Sequence, residues 1–149
     1  MTETAVVDST CLIGLERIGR LDILPALFIN VIVPPEVARE FGTSLPWLKV
    51  ETPANNALTS ALKMMLDDGE AEAIALASEH GYGIVPDDRQ ARRIAKNLGV
   101  AVVGTVGLLL RAKRDGIISA VKPLLEDLEL NGFYLSSELK EEALRLANE

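Results

Sequence analysis

The sequence predicts an α/β fold: a mostly parallel sheet covered by helices on both faces. Short apolar runs of strand length alternate with helical patterns of about ten to fifteen residues, the mark of βαβ units. The chain has 149 residues, 48% of them apolar, which suffices for one well-buried core. No repeat, low-complexity tract or interdomain linker divides it, so a single domain over 1–149 is expected.

The first strand is Ala5-Val6-Val7, which ends abruptly on Asp8. Leu12, Leu15 and Ile18 then recur at helical spacing over 9–21, with Ser9 or Thr10 as N-cap. INVIV (29–33) is the next strand; Pro34 and Pro35 close it, and the second proline suits the first turn of a helix over 35–41. WLKVE (47–51) reads as a short edge strand, followed by a polar loop and a weak helix over 57–66. The alanine-rich run 69–81 is a strong helix stopped by Gly81. A strand in YGIVPDD (82–88), a helix over 89–99 and a strand in VAVVG (100–104) follow. Helices over 105–116, 119–132 and 136–149 complete the chain, those from about 119 forming a helical tail. In the last, Leu139, Ala143 and Leu146 share a face, and an uncovered terminal face suggests a homodimer.

Composition narrows the function classes. The longest apolar stretches fall far below the ~20 residues of a membrane span, and the opening MTET carries no secretory signal. The single cysteine, Cys11, excludes an internal disulfide and fits a reducing, cytoplasmic setting, where it reads as a small core hydrophobe. A net charge of −7 argues against nucleic-acid binding by bulk electrostatics but leaves open a polyanionic substrate reached through bound cations.

The position of the acids therefore matters more than their number. In parallel sheets ligands gather at the carboxyl ends of the strands, where Asp8, Asp87 and Asp88 lie. Glu36 and Glu40 share a helix face, and Glu70 and Glu72 sit in the first turn of the alanine-rich helix. Brought together, such carboxylates repel one another unless a cation intervenes. An all-oxygen set without His or Cys points to Mg²⁺ or Mn²⁺ rather than zinc. Each acid also has a plain structural role to weigh. Asp8, Asp87 and Asp88 can be helix N-caps, Glu70 can satisfy a helix N-terminus, and Glu36, Glu72 and Glu79 can be solvated faces.

Taken in order, VVDSTCLIGL, VIVPPEVAREFG, GEAEAIALASEHG, IVPDDRQARRIAKNLGV and VVGTVGLLLRAKRDGII resemble the PIN-domain family of metal-dependent ribonucleases, which includes VapC-like toxins. The tail, with LNGFYLSSEL, resembles a prokaryotic nucleic-acid-binding subgroup of that family. The resemblance implies a three-layer α/β/α sandwich and cleavage of single-stranded RNA by metal-activated water. It also implies a small antitoxin protein as partner. By the same resemblance Asp8, Glu70 and Asp88 are metal ligands, with Asp87 an additional one. Glu40, or in its place Glu36, is the second acid of the set. Ser9 stands where the family often has a small polar residue. The chain departs from the family in carrying Glu70 where Asp is frequent and Pro86 where Thr is frequent.

Basic side chains supply the remaining clue. Arg89, Arg92, Arg93 and Lys96 follow Asp88 on one helix, where they hold substrate phosphates or balance nearby acids. Thr105 can hydrogen-bond an acid or a phosphate, or cap its helix, and His80 reads as a cap. The leading expectation is thus an Mg²⁺- or Mn²⁺-dependent ribonuclease, and the alternative is a PIN-fold binding or regulatory domain without turnover. A phosphoaspartyl enzyme is disfavoured, because its pattern needs an Asp where Thr10 stands.

Overall fold

A computed structural model describes residues 3–149; Met1 and Thr2 of the MTET opening lie outside the described residues. Four parallel strands form one sheet: β1 (Thr4–Val7), β2 (Asn30–Val33), β3 (Leu48–Val50) and β4 (Gly83–Val85), in the order β3-β2-β1-β4. The register pairs Val6 with Ile32 on one side and with Ile84 on the other.

Strand side chains alternate between faces, and here that alternation builds two cores. Ala5, Val7, Val31, Val33 and Val85 join the larger apolar cluster, whereas Val6, Ile32 and Ile84 join the smaller. The larger is closed by α1 (Ser9–Arg17), α2 (Ile23–Leu27), α3 (Pro35–Phe41), α7 (Thr105–Arg114), α8 (Lys122–Leu130) and α9 (Ser137–Leu146). The smaller is closed by α4 (Asn56–Lys63), α5 (Asp68–His80) and α6 (Arg89–Asn97). The result is a three-layer α/β/α sandwich, as expected. Small side chains on α5 (Ala71, Ala73, Ala75 and Ala77) let that helix lie close against the sheet. Among the described residues no helix is long and apolar enough to cross a membrane.

The structure departs from the sequence reading at several places. The N-cap of the first helix is Asp8 rather than Ser9 or Thr10, because its carboxylate reaches the Cys11 amide. Residues 100–104 contribute a single parallel bridge, Val102 to Ile84, rather than a fifth strand, because Gly99 turns sharply before them and α7 starts directly after. The helix over 9–21 stops at Arg17, where Gly19 takes a left-handed φ of 70° that ends the run. Behind it α2 forms unforeseen, its Pro25 tolerated because the early amides of a helix need no intrahelical partner. The last helix is covered by its own chain: Ala143 and Ala147 are buried in the larger cluster, and α9 packs on α7. Leu139 and Leu146 stay exposed, so the chain itself covers only the Ala143 part of the face that suggested a homodimer.

Leu12 is fully buried between α1 and the larger cluster. Leu12→Ala is expected to lower unfolding free energy by about 2–5 kcal/mol in a denaturant titration, whereas Leu130→Ala, at an exposed position, stays within about 0.5 kcal/mol of the parent.

Candidate metal centre

Strand order reverses direction at β1, which has β2 on one side and β4 on the other. Such a switch opens a crevice at the carboxyl edge of the sheet, and the acids after β1 and β4 lie at that edge. Asp8 continues β1: its amide donates to the Val85 carbonyl at 3.4 Å, so the chain ends of β1 and β4 stay paired. The Asp87 amide in turn donates to Asp8 Oδ2 at 3.2 Å.

Each acid is held by a helix N-terminus. Asp8 caps α1, its Oδ1 accepting from the Cys11 amide at 2.9 Å, and it is only 5% exposed. Asp88 caps α6 through the Ala91 amide at 2.9 Å. Asp67 caps α5 through the Glu70 amide at 2.8 Å, and Glu70 reaches back toward the Asp67 amide in the reciprocal manner of a capping box. Asp87 grips the first turn of α7 from outside: Oδ1 accepts from the Thr105 amide at 3.1 Å and Oδ2 from the Thr105 hydroxyl. Thr105 is fully buried, and the residue that precedes its helix, Gly104, offers no side chain to cap it.

Glu40 reaches the same edge from α3. Its Oε2 accepts from Ser9 Oγ at 3.4 Å, and its Oε1 occupies the space a Cβ at Gly69 would fill, 2.4 Å from that position. A side chain on residue 69 would therefore push Glu40 away. Glu36 turns elsewhere, with its carboxylate on the Arg39 guanidinium, so of the two candidates on α3 it is Glu40 that faces the cluster.

These positions set the electrostatics. Burial, then the neighbouring charges of Asp87 and Glu70, push the Asp8 carboxyl up to about 7, against the pull of its two backbone hydrogen bonds. Burial, Asp67, Asp88 and Glu40 push Glu70 up to about 7 as well. Partial desolvation and Asp67 raise Glu40. Among the described residues, no basic side chain offsets Asp8 or Glu70. Among the described residues, no three Asp, Glu, His or Cys side chains already surround one point as ready-made ligands. Their oxygens are turned to helix caps, yet a carboxylate oxygen that accepts one amide keeps a second lone pair. The donor set is all oxygen, anionic and short of counter-charge, which fits a hard divalent cation.

The remaining candidates fall around this cluster. Arg92 donates through Nε to the Pro86 carbonyl at 3.2 Å and lies 3.5 Å from Asp87, whereas Arg89 is exposed on the first turn of α6. His80 stacks on Tyr82 at the far end of α5 and takes no part. Cys11 is fully buried, as expected of a core residue, and burial pushes its thiol up. The sequence reading missed Asp67, although Asp67-Asp68-Gly69-Glu70 has capping-box spacing, and it missed the hold of Asp87 on α7, which spans 18 residues.

A PIN-domain family model matches residues 4–149. The chain belongs to the PIN-domain family. PIN domains are generally nucleases and typically use divalent metals. Among solved structures, this PIN domain is similar to a PilT N-terminus domain protein from the hyperthermophilic archaeon Sulfolobus solfataricus P2. The two share 19% identity at a TM-score of 0.51, over 73% of this chain and 92% of that one. At that identity the likeness is one of fold. No curated protein matches this PIN domain.

Two outcomes follow from the geometry. Unfolded carboxyls titrate near 4, so metal-free folded protein binds extra protons on Asp8 and Glu70 between about pH 4 and about pH 7. This contribution to stability is present in full below the unfolded values and is lost as pH rises to about 7. The melting temperature without metal should therefore fall from about pH 5 to about pH 8. Asp8→Asn, which keeps a cap, should flatten the fall, and a melting curve indifferent to pH would contradict the crowding. Separately, Gly69→Ala should displace Glu40 and also crowd the buried Val37, whose Cγ2 would lie 3.2 Å from the new Cβ, so a cost of about 1–3 kcal/mol is expected. Denaturation and cleavage assays on that one variant would separate the two effects.

Proposed function

We propose that this chain is a divalent-metal-dependent ribonuclease that cleaves phosphodiester bonds of single-stranded RNA at the carboxyl edge of its sheet. The observation that carries the reading is the crowding of Asp8 and Glu70 at one edge, each pushed up to about 7 first by burial and then by neighbouring acids, Asp87 and Glu70 at Asp8 and Asp67, Asp88 and Glu40 at Glu70. Uncompensated acids of this kind are costly to the fold, and a cation site gives them a use. Asp8, Glu70 and Asp88 would hold the ion, with Asp87 beside them. Bound Mg²⁺ or Mn²⁺ supplies charge neutralisation at the phosphate and lowers the pKa of water.

The protein's own groups do the rest. Glu40, steadied by Ser9, accepts a proton from the attacking water at a carboxylate oxygen. Thr105 holds Asp87 by amide and hydroxyl together, so that carboxylate cannot swing. Arg89, free on the surface, and Arg92, at the edge of the cluster, offer guanidinium donors to substrate phosphates. A small antitoxin that neutralises the activity is the protein partner this reading carries from the family resemblance, and co-purification with the product of a neighbouring small open reading frame tests it.

The central test uses purified protein and a panel of single-stranded RNAs with Mg²⁺ or Mn²⁺. Cleavage is expected in the parent, lost on chelation and restored by added metal. Asp8→Asn and Glu70→Gln should each slow it by about 10²-fold or more while leaving circular dichroism unchanged. Undiminished cleavage by Asp8→Asn defeats the proposal. Metal-raised melting temperature without turnover on any RNA favours instead a binding domain, the reading suggested by Pro86 and by the lack of ready-made ligands.

A further inference from the structure

Beside the acid cluster lies a cleft of about 600 Å³, walled by α1, α7 and the loop that joins α8 to α9. Asp87 and Arg92 line it, so it adjoins the candidate metal centre. The loop between α8 and α9 brings Phe133 and Tyr134 in succession to its wall. The whole chain has only six aromatic residues (three Phe, two Tyr and one Trp), so an adjacent pair at this place is a concentration.

The two rings are held differently. Phe133 packs its ring edge against Gly14 on α1, where a Cβ would come within 3.1 Å of Cδ2. Its amide donates to the Leu128 carbonyl at 2.9 Å, and Arg17 Nη1 donates to the Asn131 carbonyl at 3.1 Å, so the loop is tied down at both α8 and α1. Tyr134 is 84% exposed and packs in neither core. A tied loop thus presents a free aromatic face. The cations of the cleft, Arg17 and Arg92, are both guanidiniums, each anchored through a backbone carbonyl with further N–H donors to spare. The Arg92 guanidinium lies over Gly104, where a Cβ would come within 3.1 Å of Nη2, and 3.5 Å from Asp87 Oδ1.

We propose that this cleft is a nucleobase subsite for the strand being cut. Tyr134 stacks on one base, Phe133 forms the apolar floor beneath it, Arg92 takes the phosphate that leads into the acid cluster, and Arg17 takes the next phosphate along. The inference rests on the nuclease reading for the direction of the strand, but the subsite itself is read from the cleft. A few hundred Å³ accommodates a nucleotide. An exposed ring with flanking guanidiniums is the combination that binds single strands, because every base has a π-face and Arg matches phosphate bidentately. A peptide side chain would bring no phosphates to those two arginines. The net charge of −7 makes such local cations the means by which a polyanion is held at all.

The test is binding of a fluorescein-labelled RNA octamer to Asp8→Asn protein, which is expected not to cut it. Tyr134→Ala in that background should weaken binding about 5- to 100-fold, and Tyr134→Phe should restore it. An octamer of abasic residues should bind weakly, and Tyr134→Ala should weaken it no further. The same octamer in DNA should show the same dependence on Tyr134, since stacking needs only the base. Binding indifferent to Tyr134, or a Tyr134 effect that persists on abasic RNA or is confined to RNA, overturns the subsite. Made alone, in protein that keeps Asp8, Tyr134→Ala should leave circular dichroism and the metal-induced rise in melting temperature as they are in the parent. Intact Mn²⁺-dependent cleavage with Tyr134 irrelevant removes the subsite and leaves the nuclease. Absent cleavage with Tyr134-dependent binding removes the nuclease and leaves the subsite.

Discussion

Four helix N-termini meet at one edge of one sheet, and each is satisfied by an acid. Asp8 caps α1, Asp67 caps α5, Asp88 caps α6, and Asp87 holds the first amide of α7 from a neighbouring segment. The parallel topology enforces this, because every crossover helix that returns over the sheet must begin near the carboxyl end of the strand before it. Helix starts want negative caps. The same side chains that let four helices begin therefore also crowd into one place. Cap and ligand are not rival accounts of these residues, since one carboxylate oxygen can accept an amide and still offer a lone pair outward.

Magnitudes decide which effect wins at Asp8. A helix N-terminus favours a negative charge by about 0.3–1 kcal/mol, at most about 2 when partly buried. Two backbone hydrogen bonds act in the same direction. Burial and neighbouring acids nonetheless prevail and carry the carboxyl up to about 7, roughly three pH units above an unfolded aspartate, on the order of 4 kcal/mol. The dipoles lessen the crowding without removing it. Arg92 does not relieve it either, being directed to Asp87 and to the Pro86 carbonyl rather than to Asp8, which leaves a proton or a bound cation. Gly69 adds to the crowding, since its missing side chain is what admits Glu40.

The sheet, its two coverings and most helices were legible because they follow from periodicity, proline placement and glycine stops, all local signals. The part that was not legible depended on contacts across the chain. Residues 100–104 have strand composition, but five residues between the turn at Gly99 and the start of α7 leave room for one bridge. The apolar face of the last helix gave no sign of a partner, and only the return of the chain onto α7 shows where Ala143 packs, with Leu139 and Leu146 left exposed. At the site, Asp8, Glu70, Asp87 and Asp88 could be named from strand ends and helix starts. Spacing alone left Glu36 and Glu40 on one helix face, and only the family resemblance favoured Glu40; in the structure Arg39 draws Glu36 away and Gly69 leaves room for Glu40 beside the cluster.

Asp87 and Asp88 show how adjacent residues divide the work. They leave the end of β4 in different directions, so Asp88 turns to its own helix while Asp87 crosses to α7 and leans on Arg92. The exposed Asp88 remains close enough to raise Glu70, and the half-buried Asp87 raises Asp8. One acid thus faces the outer half of the cluster and the other the inner half, next to the cleft. The polarity of the whole edge follows: acids accumulate on the α5 side, and guanidiniums with exposed aromatic surface lie on the α1 and α7 side. On the proposed nuclease reading, a polyanionic strand would meet attraction on one side and repulsion on the other until a cation reversed the sign between them. Metal binding and substrate binding would then be coupled through charge alone, with no movement of the fold required.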